Sequence, residues 1–333
     1  MISTKPLFLF YEEPDPDRWF KYDHLIRKII RRIVRGKFRP GGQMMVALNL
    51  MAGLDILKIP YRFNDYNYIN KNPHELACII GKPHIIYKKK IKKNPIIFGA
   101  SVFSHPLECP NLFSIYPQIK KIIVPGDWMR NMFEPYYGEK VISWPVGIDT
   151  EKWKPVNNVK QFDVLIYDKV RWQHDAFSQT LIEPIKKILN ENFLDYQYIQ
   201  YGNYSPEELH SKVNNAKFVI FLCEHETQGI AYQQILSTNT PIFVWDRGGF
   251  WEDPFYYPDK VKFEPVSSVP YWDDRCGMKF KDYNDFKSNF DTFFSKVKNK
   301  DFSPRVYILE NLTLEICAQK YLDIVNNLKP IQF

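Results

Sequence analysis

The stretch 218–249 constrains this chain most: Phe-Val-Ile-Phe-Leu-Cys-Glu-His-Glu-Thr-Gln-Gly-Ile-Ala-Tyr-Gln-Gln-Ile-Leu-Ser-Thr-Asn-Thr-Pro-Ile-Phe-Val-Trp-Asp-Arg-Gly-Gly. It opens with a continuous apolar run, 218–223, of the length and character of a strand buried on both faces. A polar loop, 224–228, leads to Gly229. A helical segment, 230–238, follows and is stopped by Asn239 and Pro241. A second apolar run, 242–245, reads as the next strand. The unit is β–loop–α–β, the piece from which doubly wound α/β sheets are assembled. Its loop lies at the carboxyl end of a strand and the amino end of a helix, where free backbone N–H groups and the helix dipole favour an anion.

The same alternation runs along the chain. Apolar runs at 6–11, 61–64, part of 79–87, 95–103, 121–125 and 141–144 read as strands, with helices at 44–57 and 128–136. Pro145, Gly147 and Pro155 then mark a linker. Beyond it the pattern restarts, with strands at 162–167 and 196–201 and helices at 179–190 and 205–215. The last of these is capped by Ser205, with Glu208 three residues on. Residues 250–272 are aromatic and proline-rich without a period, and 282–297 and 304–328 read as helical. A length of 333 residues suggests about two domains, and a 45% hydrophobic content makes the chain globular.

Five scattered cysteines without a CxxC spacing imply free thiols in a reducing, cytoplasmic setting rather than a disulfide framework or zinc site. No signal peptide is expected at 1–10, and no apolar run approaches the ~18 residues of a membrane span. The formal net charge of +7 is mild and comes without a nucleic-acid recognition motif, so no nucleic acid is expected as a partner. Charge does cluster on the helix expected at 22–36. Its apolar stripe is Leu25, Ile26, Ile29, Ile30, Ile33 and Val34, and its other face carries Arg27, Lys28, Arg31, Arg32 and Arg35. It is an ordinary core-packed helix with a solvated basic face, or a peripheral contact with an anionic membrane.

Two places resemble the retaining GT-B glycosyltransferases of family 4 (glycosyl transferases group 1). In that pattern a strand ends in a Glu, Gly stands three residues later, a second Glu eight residues after the first, and Pro-Val closes the motif. Here Glu226, Gly229 and Pro241-Ile242 match, while the eighth position is Gln234. The other match is Pro145-Val146-Gly147-Ile148-Asp149 with Trp153 and Pro155. It is similar to the family's inter-domain signature and stands in the right order relative to Glu226.

The resemblance implies roles for particular residues. Glu226 contacts the donor sugar. Gln234 holds the ribose through an amide, without a carboxylate's charge-assisted strength. Gln228, Gly229, Ile230 and Ala231 form the loop and helix start that receive the donor. Lys169 and Arg171, just after the first strand of the second domain, grip the diphosphate, although the family's usual Gly-Arg…Lys-Gly wording is missing. Gly41 and Gly42 open the first long helix near donor and acceptor. His105, after the 95–103 strand, makes an acceptor-side contact. Each has a structural alternative: a solvated loop acid, two loop cations, a tight turn, a satisfied histidine.

The implied architecture is GT-B: two Rossmann-like domains facing a cleft, at 1–155 and 156–312, with a last helix, 313–333, crossing back to the first domain. The implied activity is transfer of a sugar from a nucleoside-diphosphate sugar to a hydroxyl of a glycan, lipid-linked or protein-linked acceptor, with retained configuration. GT-B enzymes generally need no metal, and no cofactor is expected. Asp15-Pro16-Asp17 is formally the D-x-D of GT-A enzymes, but it follows one strand rather than a complete nucleotide-binding unit and reads as surface loop. Another nucleotide-sugar enzyme on the same fold, an epimerase or phosphorylase, and a catalytically silent nucleotide-sugar binder remain open.

Overall fold

The computed structural model describes residues 5–13, 41–100 and 103–328. The expected basic helix 22–36 and Asp15-Pro16-Asp17 lie outside them. The chain forms two compact units, one of Met1–Pro125, Arg130–Trp144 and Ala318–Phe333, the other of Gly126–Met129 and Pro145–Cys317. The linker motif 145–155 thus belongs to the second unit, whereas the sequence reading put the split at 155. The chain from Ala318 groups with the first unit.

In the first unit, strands β1 (Leu7–Phe10), β2 (Tyr61–Phe63), β3 (Ala77–Ile79), β4 (Ile96–Phe98), β5 (Ile119–Val124) and β6 (Val141–Ser143) form one sheet in the order β2-β1-β3-β4-β5-β6. All its pairings are parallel. Two expected strands are shorter than the apolar runs that announced them. The strand expected in part of 79–87 lies mostly ahead of that run, at Ala77–Ile79, and His84–Tyr87 is helical. Gly81 adopts φ +100, and Pro83 has no N–H for a ladder. The 95–103 run pairs only over Ile96–Phe98. Gly99 follows at φ +145, where a Cβ would lie 2.0 Å from the Ile123 carbonyl oxygen.

In the second unit, β7 (Phe162–Asp168), β8 (Tyr196–Gln200), β9 (Ala216–Leu222), β10 (Ile242–Trp245) and β11 (Gly277–Phe280) form a parallel sheet in the order β11-β10-β9-β7-β8. Side chains alternate across it. Val164, Ile166, Phe218, Ile220 and Leu222 enter one hydrophobic core, and Leu165, Tyr167, Val219 and Phe221 enter the other. Both faces are covered, which is why these strands read as unbroken apolar runs. Four-residue β11 lies just beyond the aperiodic segment and carries no periodic signal of its own.

The 304–328 helical region is two helices, Pro304–Asn311 and Leu314–Asn326. The break has a cause. The Leu312 carbonyl accepts from the Ile148 N–H at 2.8 Å, and Thr313 bridges to Ile148. Gly147 makes this approach possible, since a Cβ there would lie 2.5 Å from the Leu314 Cα. The glycine of the linker motif is thus a close-packing glycine.

Candidate active site

The site is built where β7 and β9 end. They are neighbours in parallel register, Asp168 opposite Leu222, and the Lys169 N–H extends the ladder by donating to the Leu222 carbonyl at 2.7 Å. Their following loops therefore meet. Lys169 Nζ donates to Glu226 Oε1 at 2.5 Å and lies 4.3 Å from the Tyr201 ring centroid. The two side chains are 11% and 8% exposed. Burial pulls the Lys169 ammonium pKa down, but neighbouring groups led by the Glu226 carboxylate together outweigh it and the net shift is upward. Lys169 is thus held charged.

Arg171 is anchored from the β9 side. The Arg171 and Trp172 N–H groups donate to Glu224 Oε1 at 2.7 and 2.8 Å. Glu224 Oε2 stands 3.6 Å from Arg171 Nε, an ionic rather than hydrogen-bonding distance. Arg171 Nη2 donates to the His225 carbonyl at 3.1 Å and lies 3.2 Å from Nε2 of the His225 ring. Burial drives the His225 pKa well below its ordinary value, reinforced by Arg171, Lys169 and Arg247. The ring is neutral at pH 7 and can accept from Arg171. The Arg171 side chain remains 34% exposed, so it is positioned yet reachable.

The sequence presents 224–228 as a loop carrying one functional acid and does not single out Glu224 or His225. The available signal was Glu224 two residues before Glu226, both just past the strand end. The burial that makes Glu224 a clamp, at 1% exposure, has no sequence signature.

Gly229 caps the helix Ile230–Ser237 at φ +70, ψ 38 and offers no capping side chain. A Cβ there would lie 2.0 Å from the Tyr232 ring, so only glycine fits. The first-turn N–H groups, including those of Ile230 and Ala231, have no intrahelical acceptor and can meet a phosphate. Gln228 is structural in its side chain, accepting from the Val146 N–H at 3.2 Å, while its carbonyl accepts from Gln233 Nε2 at 2.6 Å. Gln234 is half-buried and has no side-chain hydrogen bond among the described residues.

The structure brings Lys169, Arg171, Glu226, Gln228, Gly229, Ile230, Ala231 and Gln234 into one unit. Gly41, Gly42 and His105 lie in the other. Gly41 is the N-cap of the helix Gly42–Ile56 in an extended conformation, and a Cβ on Gly42 would meet nothing within 4 Å. Backbone strain therefore does not demand these glycines; they leave a helix start without side chains over it. His105 is buried and caps a short turn, its Nδ1 accepting from the Leu107 N–H at 3.0 Å. Burial lowers its pKa to about 4, against an opposing pull from Glu108.

Asp273 is bound to Arg275, with Nη2 at 2.7 Å. No group of three or more His, Cys, Asp or Glu among the described residues is arranged to hold a metal ion.

No protein-family model and no curated protein matches this chain. Solved structures do. HepE from Anabaena, in complex with UDP and glucose, superposes with a TM-score of 0.58 at 9% identity, over 97% of this chain and 100% of its own. Sucrose-phosphate synthase from Thermosynechococcus elongatus gives 0.57 at 11% identity, over 97% and 99%. TarM gives 0.51 at 12% identity over 84% of this chain, which spans only 58% of TarM. An S. aureus TarM structure also contains UDP. These likenesses establish the fold: two units of parallel α/β structure, as in GT-B proteins.

Proposed function

We propose that the protein is a glycosyltransferase, moving a sugar from a nucleoside-diphosphate sugar to a hydroxyl of a glycan, lipid-linked or protein-linked acceptor with retention of configuration. One observation carries the reading. On a GT-B fold, adjacent strand ends hold Lys169, Arg171 and Glu226 together, and Glu226 stands three residues before Gly229, the cap of the next helix.

Lys169, Arg171 and the first-turn N–H groups take up the negative charge that grows on the departing diphosphate. Lys169 has three donors, of which Glu226 occupies one. The bond from the anomeric carbon to the phosphate oxygen breaks as the acceptor oxygen bonds on the same face. The acceptor proton passes to the departing phosphate. Glu226 accepts from donor-sugar hydroxyls. The leaving group is met by cations and N–H groups, and transfer needs no metal. The reaction is cytoplasmic, and the basic segment 22–36 is a candidate for contact with an anionic membrane surface.

UDP in the HepE and TarM structures makes UDP-sugars the first donors to try. The experiment is acceptor-dependent release of UDP with and without EDTA, with the product anomer assigned by NMR. Hydrolysis independent of acceptor would sink the transfer reading. A silent binder is the second reading, favoured by Gln234 where the family carries Glu. Donor binding without turnover on any acceptor would identify it.

A further inference from the structure

The aromatic, proline-rich stretch 250–272 contributes no reacting group to the site above. Part of it walls a cavity of about 540 Å³ within the second unit. Phe177, Arg247, Glu252 and Tyr257 form its half-buried wall, and Gln173, Pro254 and Pro258 its exposed rim. That volume falls in the roughly 300–1,000 Å³ range of small-ligand pockets. Phe255, in the same segment, is 80% exposed, an aromatic ring left in water beside the rim residue Pro254.

The lining has a particular chemistry. Arg247 Nη2 donates to Glu252 Oε2 at 2.8 Å, so the two charges cancel locally. That is the one side-chain hydrogen bond of either residue among the described residues. The Gln173 amide and the Tyr257 hydroxyl make none among them. Donors and acceptors of both kinds are thus left beside apolar rings. Phe177 is braced by Trp245 at 4.8 Å between centroids, and Tyr257 by Phe250 at 5.6 Å. An anion would meet the Glu252 carboxylate, and a cation the Arg247 guanidinium. A neutral ring with C–H faces and hydroxyl edges suits all of these groups, because hydroxyls both donate and accept.

We propose that this cavity is a saccharide subsite for one or two neutral sugar residues. Gln173 stands two residues beyond Arg171, so the subsite adjoins the proposed transfer site. Assigning the occupant as part of the acceptor glycan rests on the glycosyltransferase reading; saccharide binding here does not.

Saturation-transfer-difference NMR on the full chain, with maltose, lactose and cellobiose and with glucose 1-phosphate as the anionic comparator, tests it. The expected result is saturation transfer from at least one neutral disaccharide. Gln173→Ala and Tyr257→Ala should weaken it about tenfold, the scale of one or two lost hydrogen bonds. Gln173 is on the exposed rim, so its truncation keeps the test standing if Tyr257→Ala unfolds. No transfer from any neutral disaccharide, equal transfer in Gln173→Ala and parent, or a preference for glucose 1-phosphate would each overturn the subsite. Calorimetry with UDP, ADP, GDP, CDP and dTDP on the same samples separates the two readings. UDP binding without saccharide transfer removes the subsite alone. Saccharide transfer sensitive to Gln173→Ala, without binding of any nucleoside diphosphate, supports the subsite and removes the glycosyltransferase reading.

Discussion

Lys169 Nζ and Glu226 Oε1 stand 2.5 Å apart although 57 residues separate them in the chain. Because both side chains are largely buried, removing one partner strands the other's charge. Breaking such a pair typically costs about 3–5 kcal/mol. Glu226→Gln is expected to lower stability by about 3 kcal/mol, at the low end because some water reaches the pair. It should also cut transfer by about a hundredfold or more, the scale of one lost transition-state contact. Adding Lys169→Met should recover much of the stability and none of the transfer. Denaturant melts and initial rates report both; near-parent transfer in Glu226→Gln would make it a structural acid. The Lys169 pKa is raised in the folded state, so the share of stability linked to Lys169 protonation is full at neutral pH and is lost as alkaline pH rises through the folded value.

Arg171 tests the diphosphate grip. A charge-assisted hydrogen bond contributes about 1.5–3 kcal/mol, so Arg171→Ala should weaken UDP binding at least about tenfold. Arg171→Lys should restore little, because an ammonium cannot reach the His225 carbonyl and a phosphate with a planar fork. Calorimetry showing parent affinity in Arg171→Ala removes this residue from the site.

Two glycines with positive φ separate strain from clash. Gly202 at φ +89 has open space around a Cβ, so Gly202→Ala should cost only the backbone term, about 1 kcal/mol. Gly229→Ala adds a clash with Tyr232 and should cost about 3 kcal/mol or more. Equal melting shifts for the two variants would contradict this account of the helix start.

Gln234 has no side-chain partner among the described residues, one helical turn after Ile230. Replacing its amide with a carboxylate gives ribose hydroxyls a charged acceptor. Gln234→Glu should tighten donor binding roughly tenfold, from the difference between charged and neutral hydrogen bonds. Unchanged or weaker donor affinity counts against a ribose at this place.

His105 is held neutral by burial, with its pKa lowered to about 4. A base whose folded pKa lies below its unfolded value of roughly 6.5 favours folding fully only above that value. That contribution should be lost as pH falls from about 6.5 toward 4. Asparagine is also a good N-cap, so His105→Asn should keep the turn and flatten this share of the acid loss. Melting temperatures at pH 7 and pH 5 measure it. An undiminished pH slope would assign the acid loss elsewhere, with buried His225 the next group to test.

Which parts of this molecule were legible in advance follows from where the information resides. A parallel strand covered on both faces must be apolar throughout, so Phe162–Asp168 and Ala216–Leu222 announced themselves. Local signals were equally readable: Ser205 capping its helix and Gly229 standing just before the next one. Adjacency was not legible. β9 pairs with β7 although β8 comes between them in the chain, because parallel strands need crossovers and sequence neighbours need not be sheet neighbours. Tertiary structure therefore decided that Glu226 would meet Lys169, that Glu224 would bind the backbone at Arg171 across 53 residues, and that Ile148 would break the last helical region at Leu312. Periodicity records which face a side chain occupies; only strand order and register determine what stands opposite it.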